Sequence, residues 1–117
     1  MTTTLLTQST TTTRRHGSPL AVITGAGRGI GRSIAHALAA AGYDLEVSVF
    51  DSQEVAPTLD AMPRSIHACA TVVDLRDRAA QDAWAYDLKR RHPRLNVLVH
   101  NAGVGGPCIG LATTKDF

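Results

Sequence analysis

The sequence predicts an α/β fold in which a parallel sheet of about four strands carries helices on both faces. Short apolar runs rich in β-branched residues alternate along the chain with longer segments that have helical periodicity. The strand-like runs are apolar almost throughout, which is typical of strands that are buried on both faces. Alternation of strands and helices favours a parallel sheet, and 117 residues suffice for one small domain.

The boundaries of the predicted elements follow from this alternation. Strands are expected over residues 20–24, 45–50, 65–73 and 95–100, and helices over 29–41, 52–61 and 76–91. Gly42 is a suitable end for the first helix, and Pro93 ends the third. In that third helix, Ala80, Trp84 and Leu88 recur every four residues and form one apolar stripe that should face the sheet.

Composition limits the possible partners. The chain is 44% hydrophobic with a net charge of +2, and its charges of both signs are interspersed, so we expect no nucleic-acid surface. No apolar run is long enough for a transmembrane helix, and we expect no membrane partner. Cys69 and Cys108 make no disulfide framework, which favours the cytoplasm. The five histidines have no metal-ligand spacing, so no metal site is expected.

The first 18 residues differ from the remainder. They are rich in threonine, contain no acidic residue and lack the apolar run of a secretory signal. We therefore expect a disordered tail over residues 1–18 and a folded domain over residues 19–117.

A glycine-rich turn joins the first predicted strand to the first helix. Glycines allow a tight turn and close approach to a phosphate, and a helix N-terminus offers free N–H groups to an anion. A G-x-G-x-x-G pattern fails because position 30 is isoleucine, and a Walker A pattern fails because Arg32 stands where lysine is needed. The turn fits T-G-x-x-x-G-x-G and is predicted to cradle a pyrophosphate. Its residues are Thr24, Gly25, Ala26, Gly27, Arg28, Gly29, Ile30 and Gly31.

This pattern resembles that of the short-chain dehydrogenase/reductase family, and a second motif strengthens the resemblance. After the fourth strand, Asn101, Ala102 and Gly103 resemble the family's N-N-A-G motif, with His100 in place of the first asparagine. The resemblance implies a Rossmann-type sheet with the predicted strands in the order 3-2-1-4. The cofactor would then lie across the carboxyl ends of strands 1 and 4, where the strand order reverses.

Asp74 and Leu75 directly follow the third predicted strand. They resemble the family position at which an aspartate meets the amino group of adenine. The residues alone leave a second possibility, because aspartate is also a good N-cap for the helix expected over 76–91. One residue could serve both roles.

The preferred cofactor depends on charges near the end of the second strand. An acidic residue there hydrogen-bonds the ribose 2′-OH of NAD, whereas a basic residue accommodates the 2′-phosphate of NADP. Arg28 in the glycine turn is placed to reach a 2′-phosphate, and in the resembled family an arginine at this position often accompanies NADP. Asp51 favours NAD, although it could instead cap the following helix. We expect NADP, with NAD as the alternative.

The resemblance also implies catalytic residues that this sequence does not supply. The family uses a serine, and a tyrosine followed four residues later by a lysine. Here Lys89 comes three residues after Tyr86, on the helix before the fourth strand. No catalytic residue is assigned, and we expect the chain alone to be inactive.

Residues 19–117 are therefore predicted to be a partial dinucleotide-binding domain, the cofactor-binding portion of an oxidoreductase. The whole enzyme would transfer hydride between NADP(H) and a carbonyl or alcohol. The sequence is faintly similar to 3-oxoacyl-carrier-protein reductases. The alternatives are a non-catalytic dinucleotide-binding or interaction module, or a truncated product without function. The apolar strand at 95–100 would lie at the edge of such a sheet and could pair with a second copy.

Overall fold

The computed structural model describes residues 5–101, which form a five-stranded sheet with helices on both faces. The strands are β1 (Thr7–Ser9), β2 (Leu20–Ile23), β3 (Asp44–Val49), β4 (Ala68–Val72) and β5 (Val97–Val99). The helices are α1 (Gly29–Ala40), α2 (Val55–Asp60) and α3 (Arg78–Arg91), and a short 3₁₀ turn over Ser52–Glu54 precedes α2.

The strands lie in the order β1-β4-β3-β2-β5, and all neighbours except β1 and β4 run parallel. The predicted order 3-2-1-4 is confirmed, since those four strands are β4, β3, β2 and β5. The strand order reverses at β2, which lies between β3 and β5. The carboxyl ends of β2 and β5 therefore meet at a switch point, where α/β sheets bind ligands.

The disordered tail expected over residues 1–18 requires correction. Residues 7–9 form β1, which pairs antiparallel with β4 and places Thr7 opposite Thr71. Their hydroxyl oxygens lie 3.0 Å apart. Composition alone did not indicate this strand, because its three side chains are polar and exposed, and it is stabilised by pairing with an existing sheet edge.

Two apolar clusters cover the two faces of the sheet. Alternate residues of the strands point to opposite faces, so Ala21 and Ile23 pack with α1 and α2, whereas Leu20 and Val22 pack with α3. The predicted stripe on α3 is confirmed, since its three residues are buried against the second face. They are Ala80, Trp84 and Leu88.

The N-termini of α3 and of the 3₁₀ turn are capped by aspartates. Asp51 accepts from the backbone N–H of Gln53 and forms a capping box with Glu54, as the sequence allowed. The suggestion that Asp74 caps α3 is wrong. The helix begins at Arg78, and Asp77 accepts the backbone N–H groups of its first turn.

Arg14 anchors the N-terminal segment to the amino end of the sheet. Its Nε donates to Asp44 Oδ2 at 3.0 Å, and its guanidinium also bonds the carbonyl of Ser18 and the ring of His92. The Asp44 side chain is 5% exposed, and its other oxygen accepts the backbone N–H of His67 at 2.9 Å. Arg14 thus supplies the counter-charge of a buried carboxylate.

A buried ionic cluster lies between α3 and the sheet. Glu46 is fully buried and accepts two bonds from Arg91, at 2.6 and 3.0 Å, and a contact at 2.7 Å from His92 Nε2. The hydrogen bonds that Arg91 donates to Glu46 raise the pKa of Arg91, which stays charged. Cys69 faces the same carboxylate, and burial together with Glu46 raises the pKa of this free thiol to about 12. The thiol is therefore protonated at neutral pH.

We predict that Arg14→Ala lowers the free energy of unfolding by about 2 kcal/mol, because Asp44 would keep its burial and lose its counter-charge. Thermal or urea unfolding measures the change. Arg15→Ala is the matched control, since Arg15 is exposed and should change stability by less than about 0.5 kcal/mol. Equal effects of the two substitutions would contradict the stabilising role of the contact between Arg14 and Asp44.

We also predict self-association through β5, the edge strand expected from the sequence. Within residues 5–101, β5 pairs only with β2, and its other edge has no strand beside it. Such an edge offers backbone groups to a second copy. Light scattering at increasing concentration should show a rising mass, with slowed hydrogen exchange at residues 97–99. A constant monomeric mass with fast exchange there would contradict this prediction.

Candidate functional site

Thr24 joins the two strands whose carboxyl ends meet at the switch point. Its backbone N–H donates to the carbonyl of Val99 at 3.0 Å, which continues the pairing of β2 with β5. Its Oγ1 accepts the backbone N–H of Asn101 at 2.9 Å and lies 3.2 Å from His100 Nδ1. The two sequence motifs, predicted to meet here, are in direct contact.

Gly25 and Gly31 are required by close packing within the protein itself. The Asn101 side chain donates from Nδ2 to the carbonyl of Gly25 at 3.3 Å. A Cβ on Gly25 would lie 2.6 Å from the Asn101 carbonyl oxygen, and a Cβ on Gly31 would clash with the Gly25 carbonyl and with Asn101 Nδ2. These glycines allow the turn, the start of α1 and the end of β5 to come together.

Gly29 is required for a different reason. Its φ is +63°, in the left-handed region that favours glycine, yet a Cβ built on it meets nothing within 4 Å. The neighbouring Ile30 side chain is 73% exposed. The backbone at the N-terminus of α1 is therefore open, and the binding of a pyrophosphate against the first turn of the helix stays a prediction.

Ser48 supports the turn from β3 and was not singled out from the sequence. Its Oγ accepts the backbone N–H of Gly25 at 3.0 Å, and its carbonyl accepts that of Ala26 at 2.8 Å. One signal was available, because a serine in a strand that is predicted to be buried must find a hydrogen-bond partner.

Asp74 and Leu75 lie just beyond β4, as predicted. The Asp74 carboxylate is held by Arg76, whose Nε and Nη2 donate at 3.0 and 3.1 Å, and these bonds lower the pKa of Asp74. Arg76 also lies over the ring of Phe50, 5.2 Å from its centroid, at the end of β3. Leu75 packs against the core beneath α3. The role of Asp74 toward adenine stays a prediction.

Arg28 and Glu54 face each other across the glycine turn. Arg28 is 79% exposed and its Nε lies 3.2 Å from Glu54 Oε2. Glu54 Oε1 accepts the backbone N–H groups of Phe50 and Asp51 at 3.0 and 3.1 Å. Glu54 was not singled out from the sequence, although the spacing Asp51-x-x-Glu54 is that of a capping box.

The remaining predicted residues have different outcomes. Ala102 and Gly103 lie outside the described residues, as does Cys108. Tyr86 is exposed on α3. Over residues 5–101, no three His, Cys, Asp or Glu side chains group as metal ligands, and no helix is long and apolar enough to cross a membrane.

Comparison with known proteins agrees with this geometry. A family model described as short chain dehydrogenase matches residues 19–116, and the chain belongs to the short-chain dehydrogenase/reductase family. Members of this family are NAD(P)-dependent oxidoreductases, and the chain corresponds to the cofactor-binding portion.

Individual relatives include proteins from bacteria and one of metagenomic origin. The chain is 36% identical over 90 residues to a probable oxidoreductase, EphD, of Mycobacterium tuberculosis, covering 76% of this chain and 15% of that protein. It is 35% identical over 86 residues to a 3-oxoacyl-[acyl-carrier-protein] reductase of Staphylococcus aureus, covering 72% and 35%. The solved structure of a metagenomic short-chain oxidoreductase in complex with NADP is 34% identical, with a TM-score of 0.67, covering 76% and 42%. The chain thus spans less than half the length of each.

We predict that Gly29→Ala abolishes cofactor binding while the protein stays folded. The added methyl group would project into the open cradle, and the positive φ would cost about 1–2 kcal/mol of stability. Gly42→Ala is a matched control, because Gly42 at the other end of α1 has φ +96° and equally open surroundings. Calorimetric titration with NADPH should show loss of binding for Gly29→Ala alone.

Equal binding by the two variants would mean that the cradle lies elsewhere. Gly31→Val is less informative as a test of binding, because its side chain would collide with the Gly25 carbonyl and would report on folding instead.

Proposed function

We propose that this chain binds a nicotinamide dinucleotide through the glycine turn and the carboxyl ends of β2 and β5. The observation that carries the proposal is the contact of Thr24 and Gly25 with Asn101, which fixes the switch point while the backbone at Gly29 stays open. The pyrophosphate would lie at the N-terminus of α1, where free N–H groups and the helix dipole favour an anion.

We propose NADP(H) in preference to NAD(H). Arg28 supports this choice, because its guanidinium is largely exposed beside the end of β3 and can form charge-assisted bonds to a 2′-phosphate. The related metagenomic enzyme was solved in complex with NADP. Asp51, the residue that favoured NAD in the sequence, uses its carboxylate to cap the following turn.

For the whole protein we propose hydride transfer between the cofactor and a carbonyl or alcohol. The nicotinamide supplies the hydride, and the described residues bind and orient the adenosine and pyrophosphate parts. Relatives named as 3-oxoacyl-[acyl-carrier-protein] reductase and putative ketoacyl reductase support a carbonyl substrate.

We propose the cytoplasm as the location of the protein. The protonated free thiol of Cys69 is compatible with that reducing compartment.

The test is the effect of Arg28→Ala on the two cofactors. Loss of a charge-assisted bond should weaken NADPH by about 1–3 kcal/mol and leave NADH nearly unchanged. Calorimetric titration of both nucleotides measures the difference. Arg64→Ala is the control, because Arg64 is exposed and its substitution removes the same charge at another place on the surface.

Two results would contradict the proposal, and they have different meanings. Equal weakening of NADPH and NADH would refute the role of Arg28 at the 2′-phosphate. Absence of binding of either nucleotide at millimolar concentration would refute the binding site itself.

A further inference from the structure

Glu54 lies where the glycine turn meets the end of β3. Its side chain covers Gly27, since a Cβ built there would lie 2.5 Å from Glu54 Oε1. The same oxygen accepts the first two backbone N–H groups after β3, those of Phe50 and Asp51. In this fold the adenosine ribose binds beside the end of the second strand of the βαβ unit, which is β3 here.

The contacts of Glu54 engage groups that a 2′-phosphate could otherwise use, namely two backbone amides and the guanidinium of Arg28. One carboxylate oxygen holds the two backbone amides, and the other pairs with Arg28 Nε at 3.2 Å. The Glu54 side chain is only 15% exposed, so it is held in place and does not extend freely into solvent. The Glu54 carboxylate therefore places a negative charge of the protein itself where a 2′-phosphate would bind.

We infer that Glu54 is an internal competitor of the 2′-phosphate and limits the preference for NADP over NAD that Arg28 gives to this site. The inference rests on the proposed dinucleotide site. A phosphate monoester carries negative charge and acceptor oxygens, so it can reach Arg28 only by displacing the carboxylate or by approaching a like charge. A ribose 2′-OH can instead donate a hydrogen bond to Glu54 Oε2. Glu54 therefore weakens the binding of NADP and leaves that of NAD nearly unchanged, which reduces the preference for NADP without reversing it.

Within residues 5–101, Arg32 beside the glycine turn donates to the carbonyl of Gly27. Arg76, the other guanidinium at the end of β3, is held by both oxygens of Asp74. Asp51 adds a further negative charge at the same strand end. Of the acidic residues Asp51, Glu54 and Asp74, Glu54 is nevertheless the decisive one, because it is the one that pairs with Arg28.

Glu54→Gln removes the charge and keeps the shape. A glutamine carbonyl can still accept from Phe50 and Asp51, and glutamine is accepted at this position of a capping box. The variant should therefore fold, and the amide resonances of Phe50 and Asp51 should stay close to their original positions. Asp60→Asn is the matched control, since it removes one negative charge from the exposed end of α2.

The test compares 2′,5′-ADP with 5′-AMP, which differ only in the 2′-phosphate and do not require the nicotinamide half of the site. Affinities are measured by NMR titration of the full ¹⁵N-labelled chain. Glu54→Gln should strengthen 2′,5′-ADP by about tenfold, the order expected for removal of a like charge at close range, and leave 5′-AMP within about twofold. Asp60→Asn should change neither. In the Arg28→Ala background the gain from Glu54→Gln should shrink, because the competed guanidinium is gone.

Equal changes for the two nucleotides, or no change for 2′,5′-ADP, would overturn the role of Glu54. Binding of 5′-AMP in the same experiment would still support the proposed dinucleotide site. An undiminished gain in the Arg28→Ala background would overturn competition for that guanidinium. Failure of both nucleotides to bind wild type and variant alike would overturn the proposed site, and the inference with it.

Discussion

The hydrogen bonds of Thr24 join β2 to β5 at the point where the strand order reverses, and the candidate site depends on that junction. The backbone N–H of Thr24 extends the pairing of the two strands, and its hydroxyl fixes Asn101. Asn101 in turn holds the Gly25 carbonyl, and Gly31 must lack a side chain for all three to meet. The shape of the turn is thus determined by the protein's own packing, which leaves the backbone at Gly29 open for a ligand.

The opposite end of the sheet is stabilised in another way. Arg14 brings the N-terminal segment against Asp44, and Arg91 and His92 satisfy the buried Glu46 beneath α3. Buried carboxylates are tolerated only with partners of this kind. Because the ionic contacts lie toward the amino ends of the strands and the glycines toward the carboxyl ends, stability and binding can be altered separately by mutation.

The strand order and the meeting of the glycine turn with Asn101 could be predicted because they follow from local patterns. Apolar runs fix the strands, and parallel connection then fixes which strand ends meet. The strand at Thr7–Ser9 could not be predicted, because its polar side chains carry no strand signal and its stability comes from β4. Asp74 and Asp77 are both suitable N-cap residues, and the sequence did not show which of them precedes the helix. In the structure α3 begins at Arg78, directly after Asp77. Glu54 could have been noticed as the partner of Asp51 in a capping box, but its contacts with Gly27 and Arg28 could not, because those residues are distant in sequence and are brought near it by folding.

We propose that the carboxyl ends of β2 and β5, with the turn between Thr24 and Gly31, form a dinucleotide site. NADPH titration of the ¹⁵N-labelled chain, followed by residue-specific amide shifts, tests this proposal. Binding there should produce saturable shifts concentrated at residues 25–31 and at Asn101, with the amides around Arg14 and His67 unmoved. Shifts confined to the amino ends of the strands, or none at millimolar NADPH, would contradict it.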